Sequence, residues 1–267
     1  MELVITILRL ALLTKRGGIA LCLDNRSVML ASLNSHPSIE TLHAHAYSIP
    51  TDGPEADGTL SWDRTALVVV DVAAGGERGV GYTYSDAAAA LLINTKLADV
   101  IRSRDAIAIP AAYEAMLHAI RNLGRSGLVA TAISAVDAAL WDLKGKLLGQ
   151  PVAALLGPAR EHVPVYGSGG FTSYTLSRLR EQLHGWRCEG MRWVKMKVGS
   201  DPVADPARVR AARDAIGDTE LFVDANGAYD RKQAVAMAER FAEAGVVYFE
   251  EPVSSDDLDR TSHFGNR

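Results

Sequence analysis

The sequence predicts an α/β chain in which an α+β region precedes a series of β/α units. Strand-like segments rich in β-branched residues come first, joined by short turns and followed by helical segments. After residue 157, strands and helices alternate with about 25 to 30 residues between successive strands, which is the spacing of β/α units. The 48% of hydrophobic and 22% of charged residues are ordinary for a globular protein.

The α+β region begins with three predicted strands, over residues 42–49, 66–73 and 79–84. Two prolines and two glycines within residues 50–61 predict a loop after the first strand. A glycine pair at 75–76 predicts the turn after the second strand. These short connections predict that the three strands pair as an antiparallel meander.

Three helical patterns follow the meander. Asp86 is the predicted N-cap of an alanine-rich helix, and Pro110 predicts the first turn of another. The longest pattern covers residues 130–148, where one helical face carries Ala132, Val136, Leu140 and Leu143. Gly149 occupies the expected C-cap position of this helix.

The β/α units contain four further predicted strands, over residues 163–166, 192–198, 221–223 and 246–249. Helices are predicted between them over residues 173–185, 206–216 and 231–244. Strands that alternate with helices in this way form a parallel sheet with right-handed crossovers. The sequence therefore predicts a parallel sheet in the second part of the chain.

The charge balance excludes two classes of partner. With 28 Lys and Arg against 32 Asp and Glu, the formal charge of −4 offers no basic surface for nucleic acid or for an anionic membrane. The two cysteines form no CxxC motif, which favours reduced thiols. We therefore expect a cytoplasmic protein with no nucleic-acid partner and no membrane partner.

Residues 1–40 show no recognisable chemistry and are treated as an unassigned N-terminal extension. Their apolar run at 3–13 is interrupted by Arg9 and is shorter than the roughly 20 residues of a membrane span. No basic stretch precedes this run, so it is a poor secretory signal. An incorrectly chosen start codon and a structural element fit these residues equally well.

Polar side chains collect at the carboxyl ends of the predicted parallel strands, where function collects in β/α folds. They are Lys195, Lys197, Asp224, Asn226, Glu250 and Glu251. Residues two apart on a strand share one face. The two lysines therefore point the same way, and so do Asp224 and Asn226.

Each of these features also has a purely structural interpretation. Two lysines in one strand occur as solvated residues at an exposed sheet edge. The segment that begins at Asp224 has the composition of a turn. Glu250 and Glu251, which precede Pro252, are compatible with a charged strand exit. Strand periodicity alone does not choose between these two glutamates.

The combination of lysines and carboxylates favours a catalytic site. Carboxylates on successive strand ends would converge on one point and suit a hard cation such as Mg²⁺. A cation beside the lysines would lower their pKa values, as a lysine needs in order to act as a base near neutral pH. The resulting hypothesis is proton abstraction next to a carboxylate, with Mg²⁺ stabilising the enediolate and a lysine taking the proton.

Four segments together resemble the enolase superfamily and, within it, the mandelate racemase/muconate lactonizing enzyme family. They are AISAVDAALWDLKGKLLGQPVAALLG (132–157), KMK (195–197), VDANGAY (223–229) and FEEPV (249–253). They occur in the family's order and spacing, and the resemblance covers residues 41–257. It implies an α+β capping domain over residues 41–160, followed by the first half of a modified TIM-type barrel over residues 161–267.

The resemblance also implies roles for the site residues. Lys197 would be the base, and Lys195 would lie beside the substrate carboxylate and help to polarise it. Asp224 and Glu250, the first glutamate of the EEP motif, would bind Mg²⁺. Asn226 would lie next to the metal without necessarily binding it. A Lys or His base acting with Mg²⁺ is characteristic of the superfamily.

The implied activity is that of a lyase or isomerase acting on a small carboxylate. Hydroxy acids, sugar acids and amino-acid derivatives are the candidate substrates, and residues 50–61 would form a loop that covers them. Dehydration, racemisation or epimerisation, and cycloisomerisation share the same first step, and we expect acid-sugar dehydration or racemisation. We also expect a homo-oligomer.

The family's third metal carboxylate has no counterpart in the sequence. Asp224 and Glu250 are 26 residues apart, and an equal step would place the third ligand near position 276, beyond Arg267. The second acid/base and several strands of a barrel that typically takes about 250 residues are missing as well. We expect a truncated chain, frameshifted after about Leu258. The alternative hypothesis is a catalytically inactive remnant or half-barrel fragment.

Overall fold

The computed structural model of the protein describes residues 20–24, 27–31 and 36–256. Near the N-terminus, Ala20–Asp24 (β1) and Ser27–Ala31 (β2) pair as antiparallel strands. Part of the segment that the sequence left unassigned therefore forms a two-stranded sheet. The apolar run at 3–13 lies outside the described residues.

The chain divides into two compact units. The first contains residues 1–47 and 67–157, and the second contains residues 48–66 and 158–267. Residues 48–66 comprise the ends of two long strands and the turn between them, so the division falls within these strands. The domain boundaries inferred from the sequence, after residues 40 and 160, stay predictions.

The first sheet contains Thr41–Ala56 (β3), Ser61–Ala74 (β4) and Glu77–Tyr84 (β5) in the order β3–β4–β5. β4 and β5 pair antiparallel. The three predicted strands are confirmed, but the loop predicted over residues 50–61 is wrong, because only residues 57–60 lie between the strands. The prolines are compatible with β3 because it is an edge strand, which pairs along one side only.

The helices that follow β5 are Ala87–Leu92 (α1), Ala98–Ile101 (α2), Ile109–Ala119 (α3), Leu128–Leu148 (α4) and Val152–Leu156 (α5). A π-helical turn, Ile93–Leu97, joins α1 to α2. Asp86 caps α1 as predicted, because its side chain accepts from the N–H of Ala88 at 2.8 Å. Gly149 ends α4 in the left-handed conformation, with φ at 61°.

Helix α4 packs closely on β5 through a glycine of that strand. A Cβ atom at Gly81 would lie 2.5 Å from Ala139 N and would also overlap the carbonyl oxygen of Ala135. The apolar face predicted for this helix is buried in the core, including Val136 and Leu140. Close approach of α4 therefore depends on the absence of a side chain at Gly81.

The second unit contains a parallel sheet in the order β6–β7–β8–β9. Its strands are Gly167–Gly169 (β6), Trp193–Lys197 (β7), Glu220–Asp224 (β8) and Val246–Glu250 (β9). The intervening helices are Leu176–Cys188 (α6), Asp205–Ile216 (α7) and Arg231–Glu243 (α8). The predicted parallel arrangement of β/α units is thereby confirmed.

The first parallel strand differs from its predicted position. The sequence predicted a strand over residues 163–166 that ended at Gly167, whereas the observed strand is Gly167–Gly169. Val163 and Val165 are exposed. A Cβ atom at Gly167 would lie 2.5 Å from the Trp186 ring, so glycine allows β6 to contact α6. The β-propensity of residues 163–166 therefore predicted the wrong position for the strand, because close packing of Gly167 against Trp186 outweighs propensity.

The core of the second unit lies between the parallel sheet and its helices. Its fully buried side chains include Leu179, Leu183, Val194, Met196, Val223 and Phe241. Within the described part of the chain, no helix combines the length and the apolar character that a membrane span requires.

Replacing Gly81 by alanine is expected to lower the free energy of unfolding by about 1–3 kcal/mol, because the added methyl group overpacks the contact with α4. Gly185→Ala is a suitable control, because Gly185 lies inside α6 with open space where its Cβ atom would be. That change is expected to be neutral or stabilising by up to about 1 kcal/mol. Denaturant unfolding measures both effects, and wild-type stability in Gly81→Ala would contradict the close packing.

Candidate metal centre and catalytic lysines

The register of the parallel strands brings charged side chains into one row. Lys197 of β7 lies opposite Asp224 of β8, and Asp224 lies opposite Glu250 of β9. Lys195 lies one layer below this row, opposite Phe222. Because side chains two apart on a strand share a face, both lysines project towards the same side of the sheet.

These three residues and Lys195, together called the charged row, form a compact network of ion pairs. Lys197 Nζ donates to Asp224 Oδ2 at 2.6 Å. Lys195 Nζ donates to Glu250 Oε2 at 2.6 Å and lies 3.3 Å from Asp224 Oδ2. Asp224 is only 2% exposed and Lys195 only 6%. Charges buried to this extent persist where they are paired and hydrogen-bonded, so each group depends on the others.

These contacts favour the charged form of Lys195. Burial of the ammonium group lowers its pKa, but the hydrogen bond to Glu250 and the charge of Asp224 outweigh burial. The net result raises the pKa of Lys195 well above its ordinary value. The sequence predicted a lowered pKa for lysines that lie beside a bound cation, which is a different condition from that of the protein side chains alone. Among the protein side chains alone, Lys195 is a stable cation near neutral pH.

Asn226 lies at the β8 end of the site. Its backbone is left-handed, with φ at 48°, a conformation that asparagine tolerates better than most residues. Its N–H donates to Asp224 Oδ1 at 2.9 Å, and its Nδ2 donates to Glu251 Oε2 at 3.3 Å. Its Oδ1 is buried and has no hydrogen-bond partner among the described residues.

The two consecutive glutamates have different surroundings. Glu250 ends β9, and its carboxylate meets Lys195. Glu251 is exposed and left-handed, with φ at 41°, and its carboxylate contacts Asn226. The geometry therefore places Glu250 inside the ion-pair network, although its role as a metal ligand stays a prediction.

The donor set suits a hard divalent cation. Mg²⁺ prefers oxygen ligands, and the carboxylates of Asp224 and Glu250 and the unpartnered amide oxygen of Asn226 are of this type. The ammonium group of Lys195 lies between the two carboxylates, where positive charge is stabilised. Within residues 36–256, no group of three or more His, Cys, Asp or Glu side chains is arranged to hold a metal. Among the described residues, Asp224 and Glu250 would supply two of the oxygen ligands of such an ion.

An aromatic side chain that sequence reasoning missed lies next to the network. Lys195 Nζ is 5.3 Å from the centroid of the Tyr166 ring, within the range of a cation–π contact. The Tyr166 ring meets Phe222 edge to face at 5.6 Å, and Phe222 meets Tyr248 at 5.5 Å. The sequence assigned Tyr166 to a strand over residues 163–166, whereas the observed strand begins at Gly167, so strand spacing did not connect Tyr166 with Lys195.

The turn between β3 and β4 lies against the segments that follow β7 and β8. A Cβ atom at Gly58 would lie 2.8 Å from Val198 O and would overlap Ala225 O. Thr172 Oγ1 donates to Asp57 O at 2.9 Å and fixes the turn from the β6 side. The residues predicted to cover the substrate thus lie close to the charged row, while covering itself stays a prediction.

Family sequence profiles match most of the chain. The N-terminal domain of mandelate racemase and muconate lactonizing enzyme matches residues 48–157. A profile described as enolase C-terminal domain-like matches residues 178–266. The chain belongs to the mandelate racemase/muconate lactonizing enzyme family of the enolase superfamily. Both the resemblance and the fold class inferred from the sequence are therefore confirmed.

Several curated proteins are similar to this chain in sequence. L-talarate/galactarate dehydratase of Salmonella typhimurium is 35% identical over 201 residues, which are 73% of this chain and 50% of that protein. D-galactarolactone cycloisomerase of Agrobacterium fabrum is 31% identical over 227 residues, which are 83% of this chain and 60% of that protein. The chain thus spans 50% to 60% of the length of these two relatives.

Solved structures of family members share the fold. A mandelate racemase/muconate lactonizing enzyme-like protein from Rubrobacter xylanophilus has a TM-score of 0.85 and 55% identity, over 86% of this chain and 65% of that one. A Streptomyces coelicolor racemase with bound magnesium has a TM-score of 0.79 and 34% identity, over 83% of this chain and 64% of that one. Magnesium is therefore present in at least one member of similar fold.

Glu250→Gln is expected to lower the pKa of Lys195, because it removes the charged acceptor while burial continues to disfavour the ammonium form. Glu251→Gln is the matched control, since Glu251 contacts Asn226, and there the pKa of Lys195 should stay raised. An NMR titration of the lysine ε-methylene resonances compares the two variants. Equal lysine titration in both variants would contradict the ion pair.

Proposed function

We propose that this chain carries the capping region and the first catalytic strands of a Mg²⁺-dependent enzyme that removes the α-proton of a small carboxylate substrate. The observation that carries the proposal is the charged row at the ends of β7, β8 and β9. It combines two lysines with two carboxylates within hydrogen-bonding distance of one another. Such a set supplies a base, a fixed positive charge and oxygen ligands for a cation.

Lys197 is the proposed base. Its ammonium group is bound to Asp224 at 2.6 Å, so it must first lose a proton to act as a base. Its position at the end of β7 places it at the edge where substrates bind in β/α folds. The amine would then accept the α-proton, and the electron pair left behind would delocalise into the substrate carboxylate as an enediolate.

Lys195 and the carboxylates would complete the site. Lys195 stays charged near neutral pH, so its ammonium group would bind the substrate carboxylate through a charge-assisted hydrogen bond. Asp224 and Glu250 would hold Mg²⁺, with Asn226 beside it. Bound Mg²⁺ supplies positive charge that stabilises the negative charge developing on the substrate carboxylate.

Sugar acids are the best supported substrate class. The relatives include L-talarate/galactarate dehydratase, D-galactarolactone cycloisomerase and arabinonate dehydratase of Saccharolobus solfataricus, which is 32% identical and covered over 53% of its length. All three names refer to sugar-acid chemistry. We therefore favour acid-sugar dehydration, with racemisation as the other outcome of the same proton transfer.

A non-catalytic role is the second candidate. The described residues supply two carboxylates to the proposed metal position and no third His, Cys, Asp or Glu. A chain with this donor set would bind Mg²⁺ weakly and would not exchange protons. It would then act as a remnant or half-barrel fragment of the family.

Loss of deuterium from the α-carbon of hydroxy acids, sugar acids and amino-acid derivatives tests the proposal. We expect Mg²⁺-dependent exchange by the 267-residue chain. Lys197→Ala should lower the rate at least about 100-fold, because it removes the proton acceptor. Mass spectrometry of the recovered substrate measures the exchange.

Lys232→Ala is the matched control, because Lys232 is an exposed residue of α8. Its exchange rate should equal that of the wild type. Weak Mg²⁺ binding without exchange in the wild type would favour the remnant instead. Exchange that survives in Lys197→Ala would show that another group takes the proton.

A further inference from the structure

A buried carboxylate outside the charged row joins two of the site's loops. Asp205, in the first turn of α7, has no exposed surface. Its Oδ2 accepts from the N–H of Gly199 at 2.9 Å and from the phenol of Tyr229 at 2.5 Å. Gly199 comes two residues after Lys197, and Tyr229 comes five residues after Asp224. One oxygen atom therefore links the segments that follow β7 and β8.

A neighbouring arginine extends this link to the segment after β6. Arg208 lies one turn beyond Asp205 on α7, and its guanidinium donates to Tyr174 O at 2.8 Å and to Phe171 O at 3.0 Å. Arg208 Nε and Asp205 Oδ1 are buried and have no hydrogen-bond partner among the described residues. Burial raises the pKa of the Asp205 carboxyl, and the nearby charge of Arg208 partly offsets this effect.

We propose that Asp205 and Tyr229 are positioning residues that fix Lys197 and Asp224 relative to each other through the loops that follow them. This inference rests on the proposed function, because that function is what the alignment of Lys197 and Asp224 would serve. Neither residue contacts a member of the charged row through the hydrogen bonds described above. Each acts through the backbone between itself and the strand end.

The chemistry of the pair suits a fixed contact. Burial and the neighbouring charge of Asp205 raise the pKa of the Tyr229 phenol, so it stays a donor at every physiological pH. The Tyr229 ring also meets Phe249 of β9 at 6.1 Å, edge to face. Tyr229 is therefore held from two sides, by Asp205 on the helix and by Phe249 on the strand that carries Glu250.

Small changes in the relative position of Lys197 and Asp224 would affect the proposed catalysis. A displacement of about 1 Å far from the reacting atoms is enough to reduce a rate by about 100-fold. Lys197 and Asp224 lie 2.6 Å apart, so relative movement of β7 and β8 would change this distance directly. Burying a carboxylate is costly unless it is well hydrogen-bonded, and here its two bonds go to the two loops in question.

Tyr229→Phe tests the pair, with Tyr174→Phe as a matched loss of one buried phenol. The Tyr174 hydroxyl accepts from Arg178 at 3.3 Å and does not contact Asp205. Amide hydrogen exchange of the full chain is followed by mass spectrometry over residues 198–204 and 225–230. Tyr229→Phe should speed exchange in both segments about tenfold, since a hydrogen bond to a charged group is lost. Tyr174→Phe should leave both segments at the wild-type rate.

Asp205→Asn provides a second variant of the same contact. The increase in exchange in the double variant with Tyr229→Phe should be smaller than the sum of the two single increases, because both changes affect the contact between Asp205 and Tyr229. Additive increases would overturn the pairing, as would equal exchange in Tyr229→Phe and Tyr174→Phe.

Magnesium affinity distinguishes positioning from a general structural role. Titration calorimetry with Mg²⁺ alone should show an affinity about tenfold weaker in Tyr229→Phe and unchanged in Tyr174→Phe, at similar unfolding midpoints. Faster loop exchange with wild-type Mg²⁺ affinity would overturn the positioning of Asp224. A wild-type chain without Mg²⁺ binding would overturn the proposed function, and the exchange comparison alone would then decide the proposal.

Discussion

The buried carboxylate of Asp224 holds two ammonium groups at the ends of neighbouring parallel strands, and the rest of the site depends on this interaction. Lys197 bonds it directly, and Lys195 lies between it and Glu250. The arrangement requires β7, β8 and β9 to share one register. Removing one partner of such a buried pair typically costs about 3–5 kcal/mol, because the remaining charge is left uncompensated.

The parallel sheet was predictable because its sequence pattern is local and repetitive. Apolar strand segments recur at regular spacing and are followed by helices with capping residues, such as Asp230 with its capping box at the start of α8. The strand at Gly167–Gly169 was misplaced because glycine carries no strand signal of its own. Its position is set by contact with Trp186, which lies across the sheet–helix interface and leaves no local pattern.

The candidate site was predictable where strand periodicity applies. A two-residue period places Lys195 and Lys197 on one face, and the β/α topology brings the next strand ends beside them. Periodicity could not separate Glu250 from Glu251, since the difference arises from the left-handed backbone at the second residue. Asp205 was beyond sequence reasoning altogether, because its partners come from two loops and its burial is known only after packing.

We propose that the charged row is a position for a divalent cation. Crystals of the full chain grown with Mn²⁺ in place of Mg²⁺ test it most directly, because Mn²⁺ gives an anomalous scattering peak and accepts the same oxygen ligands. We expect one peak bounded by the carboxylates of Asp224 and Glu250, with the Lys195 ammonium group displaced from between them. A peak elsewhere, or an unchanged Lys195–Glu250 ion pair at saturating Mn²⁺, would contradict it.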